Sequence, residues 1–151
     1  MLIILEGCDG AGKSTIARSL SQILDAEIIH CSSKTKNDFK FFFNLIEASK
    51  TRNIIADRFC YGQFVYQKPN ERPLIDYHNL NTLEAELLRH GAKVIYVYAP
   101  TQEIEKRLNL RGEKLINGLT VEEICERFEN LFREYSILCD SVITWYTGGD
   151  I

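Results

Sequence analysis

Residues 2–15 read LIILEGCDGAGKST, and this stretch decides the fold. LIIL (2–5) is a continuous apolar run, the pattern of a parallel strand covered on both faces. EGCDGAGKST (6–15) follows directly and fits G-x-x-x-x-G-K-[ST], with Gly7, Gly12, Lys13 and Ser14 at the fixed positions. From Lys13 to about Leu24, apolar residues at Ile16, Leu20, Ile23 and Leu24 trace one stripe of a helix. Strand, glycine loop and helix therefore occur in the order that a phosphate-holding loop needs. Glycines let successive N–H groups converge on phosphate oxygens, and the helix adds its positive N-terminal end. Gly7, Asp9, Gly10, Ala11, Gly12, Lys13, Ser14 and Thr15 are the expected triphosphate contacts. Lys13 supplies charge to the outer phosphates, and the Ser14 hydroxyl is placed to ligate Mg²⁺.

Outward from the loop, strand and helix signals alternate. EIIH (27–30), NIIAD (53–57), KVIYVYA (93–99) and SVITWY (141–146) read as further strands. CSSKTKND (31–38) and KPNERP (68–73) read as loops, and DFKFFFNLIEA after the first of these repeats apolar residues at helical spacing. Asn81 with Glu84 resembles a capping box opening the helix TLEAELLRH, which Gly91 ends. Thr120 with Glu123 forms a second such box, before a helix reaching about Ser136. Five strands interleaved with helices imply an α/β domain with a parallel sheet, spanning residues 1–151 as one unit. In such sheets the ligand lies beyond the carboxyl ends of the strands. At the third of these ends stand Asp57, placed to hold Mg²⁺ or its waters, and Arg58, suited to a bidentate pair with phosphate. An isolated Asp-Arg dipeptide would read as a surface ion pair; its place at a strand tip favours the site.

Arg107 and Arg111 are four residues apart and project from one helix face. They read either as a basic helix end satisfying the helix dipole or as charge brought over a transferring phosphoryl group. Gly112 and the polar EKLING favour a lid over residues 107–119.

Composition bounds the reading. The net charge of −3 and pI near 5.7 argue mildly against a nucleic-acid duplex as main partner, without excluding a local basic cleft. Five cysteines without C-x-x-C spacing argue against zinc and for a reduced cytoplasm, that of the host if the protein is viral. No apolar run approaches a membrane span.

Taken together, these residues resemble the thymidylate kinase family: the loop at 6–15, NIIADRFCYGQFVYQ (53–67) with its Asp-Arg-aromatic start and Val65-Tyr66-Gln67 end, and VIYVYAPTQEIEKRLNLRGE (94–113) with its Arg-x-x-x-Arg-Gly lid. The resemblance implies a P-loop nucleotide kinase fold with strand order 2-3-1-4-5. It further implies ATP and Mg²⁺ as donor and metal, and a small nucleotide acceptor, dTMP or a modified pyrimidine deoxynucleotide. The family's habit of dimerising would extend to a homodimer here. Carried over by position, Asp9 would touch the acceptor sugar or Arg58, and Arg58 would hold the acceptor phosphate. Gln63 would contact the base, Tyr66 would wall the sugar, and Phe39 or Phe42 would stack on the base. Some members carry a catalytic Arg where Gly10 stands; others, like this chain, keep their basic residues in the lid, which gives Arg107 and Arg111 the transition-state charge. The chain departs from the family in being shorter, in reading HCSSKT after the second strand, and in lacking an Arg four residues beyond any of the phenylalanines at 39 and 41–43.

Three rival readings differ in the acceptor. A resemblance to deoxynucleoside kinases would make Glu6 a general base, because a hydroxyl must lose its proton. A phage-type kinase acting on a hydroxymethylated base in DNA is a second. A non-catalytic nucleotide-binding switch is a third, opposed by the paired lid arginines.

Overall fold

The computed structural model describes residues 1–31, 37–68, 70–72, 74–114, 118–138 and 141–148. The strands are β1 (Leu2–Glu6), β2 (Glu27–His30), β3 (Ile54–Asp57), β4 (Lys93–Tyr98) and β5 (Ile143–Tyr146). They form one parallel sheet in the order β2-β3-β1-β4-β5, the order that the thymidylate kinase resemblance implied. β1 and β3 are buried along their whole length, which is why their sequences are runs of Leu and Ile rather than alternating patterns. β5 is exposed along its length, as an edge strand can be.

The helices are α1 (Lys13–Leu24), α2 (Phe39–Ala48), α3 (Tyr61–Val65), α4 (Tyr77–Arg89), α5 (Thr101–Arg111) and α6 (Val121–Asn130), the last continued by a π-helical turn, Leu131–Tyr135. Asp38 caps α2 by accepting the Phe41 N–H at 2.9 Å. Thr120 and Glu123 form the expected reciprocal box at the start of α6. The box expected at Asn81 and Glu84 is displaced. α4 starts five residues earlier, at Tyr77, under a box made by Asp76 and Asn79. Asp76 reaches extended backbone just before the helix, where its carboxylate can take the orphan N3 amide. Glu84 is instead fully buried and accepts hydrogen bonds from Tyr61 Oη and Ser136 Oγ, tying α4 to α3 and to the end of the π-helical turn. Among the described residues, no helix is long and apolar enough to cross a membrane.

Register places the functional ends side by side. Leu5 pairs with Asp57, His30 pairs with Asp57 on the other side, and Glu6 pairs with Tyr96. The carboxyl ends of β1, β2 and β3 thus share one edge, from which the glycine loop springs.

Candidate active site

The loop between β1 and α1 takes its shape from backbone that only glycine adopts easily. Gly7 has φ +147°, and a Cβ there would overlap the Val97 carbonyl oxygen of β4. Gly12 caps α1 at φ +100°. Inside the curl, Lys13 is 6% exposed, and its Nζ donates to the carbonyls of Gly7 at 2.8 Å and Cys8 at 2.9 Å. Two of the ammonium's three donors are so used, leaving one for a ligand. Burial lowers the Lys13 pKa, against the opposing charges of Glu6 and Asp57.

A cavity of 290 Å³ opens over this loop. It is lined by Asp9, Gly10, Gly12, Lys13, Ser14 and Thr15 from the loop, by Asp57 and Arg58 from the end of β3, and by Arg18, Arg111 and Glu113. Four cations face three carboxylates, an excess of positive charge suited to phosphate. Ala11, also expected at the ligand, is fully buried beneath the loop, so only its backbone can serve. Ser14 Oγ donates to Asp57 Oδ2 at 3.2 Å, and His30 Nδ1 lies 3.1 Å from the same oxygen. A hydroxyl and a carboxylate converging on a phosphate cavity form a hard oxygen set, which fits Mg²⁺.

Arg58 is one of two non-glycine residues with positive φ among the described residues, at +74°. Its guanidinium pairs with Asp9 and sits 5.9 Å over the Tyr66 ring. Tyr66 Oη accepts the Asp9 N–H at 3.2 Å, so α3 braces the loop from beneath the arginine. Asp9, Arg58 and Tyr66 are therefore brought together beside the cavity.

Other expected residues are placed differently. Arg107 does not line the cavity. Its guanidinium donates to the Gly10 carbonyl at 3.1 Å and to Thr147 O at 2.8 Å, with Glu103 3.4 Å away. It clamps the glycine loop to the segment after β5, and of the helix pair only Arg111 reaches the cavity. Phe42 is fully exhausted by the core, 0% exposed and tilted against Phe59 at 4.6 Å, so it cannot stack on a base. Phe39 is half-buried and stacks on Phe43 with ring centres 6.0 Å apart. Gln63 donates its amide to the Asn37 carbonyl, joining α3 to the start of α2 rather than lining the cavity. The HCSSKT departure falls largely at 32–36, and the expected lid at 107–119 includes 115–117; both stretches lie outside the described residues.

Glu6 is 0% exposed, and its Oε1 accepts the Phe59 N–H at 2.7 Å. Burial raises its pKa to about 7, against the lowering effects of that hydrogen bond and of Lys13 and Arg58. Sequence reasoning missed Arg18 and Thr147. Arg18 was legible, because it stands one helical turn beyond Ser14; Thr147 carries no local signal.

Comparison with known proteins gives the family. No family model matches the chain. YorR of the SPbeta prophage in Bacillus subtilis strain 168 is 34% identical over 152 residues, spanning 97% of this chain and 89% of that protein. The crystal structure of YorR in complex with phosphorylated GDP superposes with a TM-score of 0.76 at 31% identity, covering 98% of this chain and 85% of that one. Two more distant structures share the fold. Deoxyadenosine kinase from M. mycoides with bound dCTP has a TM-score of 0.59 at 23% identity, covering 100% and 93% of the two chains. Thymidylate kinase from Candida albicans has 0.51 at 18%, covering 99% and 84%. With its glycine loop, its 2-3-1-4-5 sheet and a match to YorR over 97% of its own length, the chain belongs to the YorR family of P-loop nucleotide kinase-like proteins.

Proposed function

We propose that the protein transfers the terminal phosphoryl group of a nucleoside triphosphate to the phosphate of a deoxynucleoside monophosphate. The observation that carries this reading is Arg58. A long cation held in left-handed backbone, where a glycine or asparagine would sit with less strain, is aimed across Asp9 into the cavity that holds Lys13. A guanidinium there suits a second phosphate better than a sugar hydroxyl. Against a hydroxyl acceptor stands Glu6, whose carboxylate is sealed from solvent and engaged with a backbone amide.

In this reading the loop amides and Lys13 hold the donor's outer phosphates, and Arg58 orients the acceptor phosphate for in-line attack. Arg111 and Arg18 face the equatorial oxygens of the transferring group. Ser14 and Asp57 would hold Mg²⁺, which would supply neutralisation of the donor's phosphate charge. No side chain needs to remove a proton, because the acceptor oxygen is already anionic; catalysis is positioning and charge neutralisation. The resemblance to thymidylate kinases supports dTMP or a modified pyrimidine deoxynucleotide as acceptor and ATP as donor. The complex of YorR with phosphorylated GDP supports adding guanine nucleotides to both lists.

The test is an acceptor screen with γ-labelled ATP or GTP and Mg²⁺, over deoxynucleosides, their monophosphates and a DNA oligomer. Label appearing in a deoxynucleoside diphosphate is the expected result. Label in nucleosides or in DNA, with none in monophosphates, refutes the proposal. Triphosphate hydrolysis without any labelled acceptor would favour a switch or a bare hydrolase.

A further inference from the structure

The two residues that end β1 hold consecutive amides of the turn after β3. The Leu5 carbonyl accepts the Arg58 N–H at 2.9 Å, and Glu6 Oε1 accepts the Phe59 N–H at 2.7 Å. That fork closes around Arg58, the residue with φ +74°. For an arginine this conformation is unfavourable on its own and persists only where the surroundings over-determine it. Phe59 is 3% exposed, so without Glu6 its amide would be buried without a partner. Beyond the fork, the Phe59 ring is pinned on Phe42, and the Arg58 guanidinium is turned back to Asp9 and over Tyr66. On the other side, the Glu6 Oε2 is buried, the Gly62 backbone amide also lowers the carboxyl's pKa, and a Cβ on Gly62 would stand 4.0 Å from Oε2. Neither oxygen is open to a ligand.

We propose that Glu6 is a positioning residue that holds Arg58 in its left-handed turn and so presents the guanidinium to the acceptor phosphate. This rests on the reading of Arg58 given above. It assigns the carboxyl group a role through its hydrogen-bond acceptor rather than through proton transfer. An amide oxygen can accept the same N–H, whereas a methyl group cannot.

The experiment compares Glu6→Gln and Glu6→Ala in acceptor kinetics, with donor Kd measured separately using a non-hydrolysable triphosphate analogue. Glu6→Ala should raise the acceptor KM by roughly tenfold or more while donor Kd stays at the wild-type value. Glu6→Gln should keep kcat within roughly threefold, since its oxygen restores the strut. A Glu6→Gln enzyme that loses about a hundredfold or more in kcat with unchanged KM would make Glu6 a base and overturn the proposal. So would a Glu6→Ala enzyme with wild-type acceptor KM. The backbone amide of Phe59 gives a readout independent of any acceptor. Its proton resonance should stay downfield and protected from exchange in Glu6→Gln, and lose both in Glu6→Ala. If the screen reveals a hydroxyl acceptor, the proposed function falls while the Phe59 amide still decides the strut. If Glu6→Ala does not fold, the kinetics and Phe59 amide of Glu6→Gln alone decide it.

Discussion

Replacing Glu6 with glutamine should make the protein's stability less sensitive to pH, because burial raises the pKa of the Glu6 carboxyl. Glu6 is fully buried, and its pKa is raised from 4.5 to about 7, mainly by desolvation. Below pH 4.5 the carboxyl is protonated in both folded and unfolded chains and leaves their balance unaltered. As pH rises, the unfolded chain ionises first, so the stability contributed by the proton-binding folded state is lost up to about pH 7. A shift of this size corresponds to about 3 kcal/mol at 1.36 kcal/mol per unit. In Glu6→Gln that loss is absent. The new amide nitrogen, buried where Oε2 now lies, adds a pH-independent cost of about 1 kcal/mol. The offset between the two proteins therefore includes this cost, but their difference should still change by about 3 kcal/mol between pH 4.5 and 8. In melting temperature that is roughly 6–12 °C for a chain of this length. Urea denaturation of both proteins across that range measures it, and titrating groups that do not feel the Glu6 charge cancel in the difference. Parallel stability curves, differing by a constant offset, would refute the reasoning.

Four further outcomes follow from the same geometry. Gly7→Ala should abolish triphosphate binding in equilibrium titration, because its Cβ would drive the loop off the Val97 carbonyl. Phe42→Ala should cost about 3–5 kcal/mol in chemical denaturation, as a core residue does; a normal fold with altered base preference would return it to the ligand. Arg111→Ala should lower kcat by about tenfold or more with donor Kd little changed, whereas Arg107→Ala should weaken donor binding and stability by loosening the Gly10–Thr147 clamp.

The glycine loop and the strands themselves were legible because their signals are local, whereas the order of the strands came from the family resemblance. Gly7 to Ser14 is a fixed spacing, and buried parallel strands such as Leu2–Leu5 are written as uninterrupted apolar runs. Arg107 was not legible, because its partners Gly10 and Thr147 lie 97 and 40 residues away and meet it only through the fold. The phase of α2 showed that some of its phenylalanines must face inwards. That Phe42 does so depends on Phe59, which only the turn after β3 brings beneath it. Asn81 read as the start of α4, yet Asp76 is equally a capping residue, and the helix starts there because there the chain is extended. Glu6 read as a candidate base because its position resembles that of the base in deoxynucleoside kinases, while its burial is set by the sheet and by Phe59.

The central claim is that Arg58 receives the acceptor's phosphate. It is tested most directly by comparing wild type and Arg58→Ala on a labelled deoxynucleoside monophosphate, with triphosphate affinity measured in parallel. The account predicts a fall of about a hundredfold in kcat/KM for the monophosphate, carried largely by KM, with triphosphate affinity unchanged. An Arg58→Ala enzyme that phosphorylates the monophosphate with wild-type kcat/KM would contradict it.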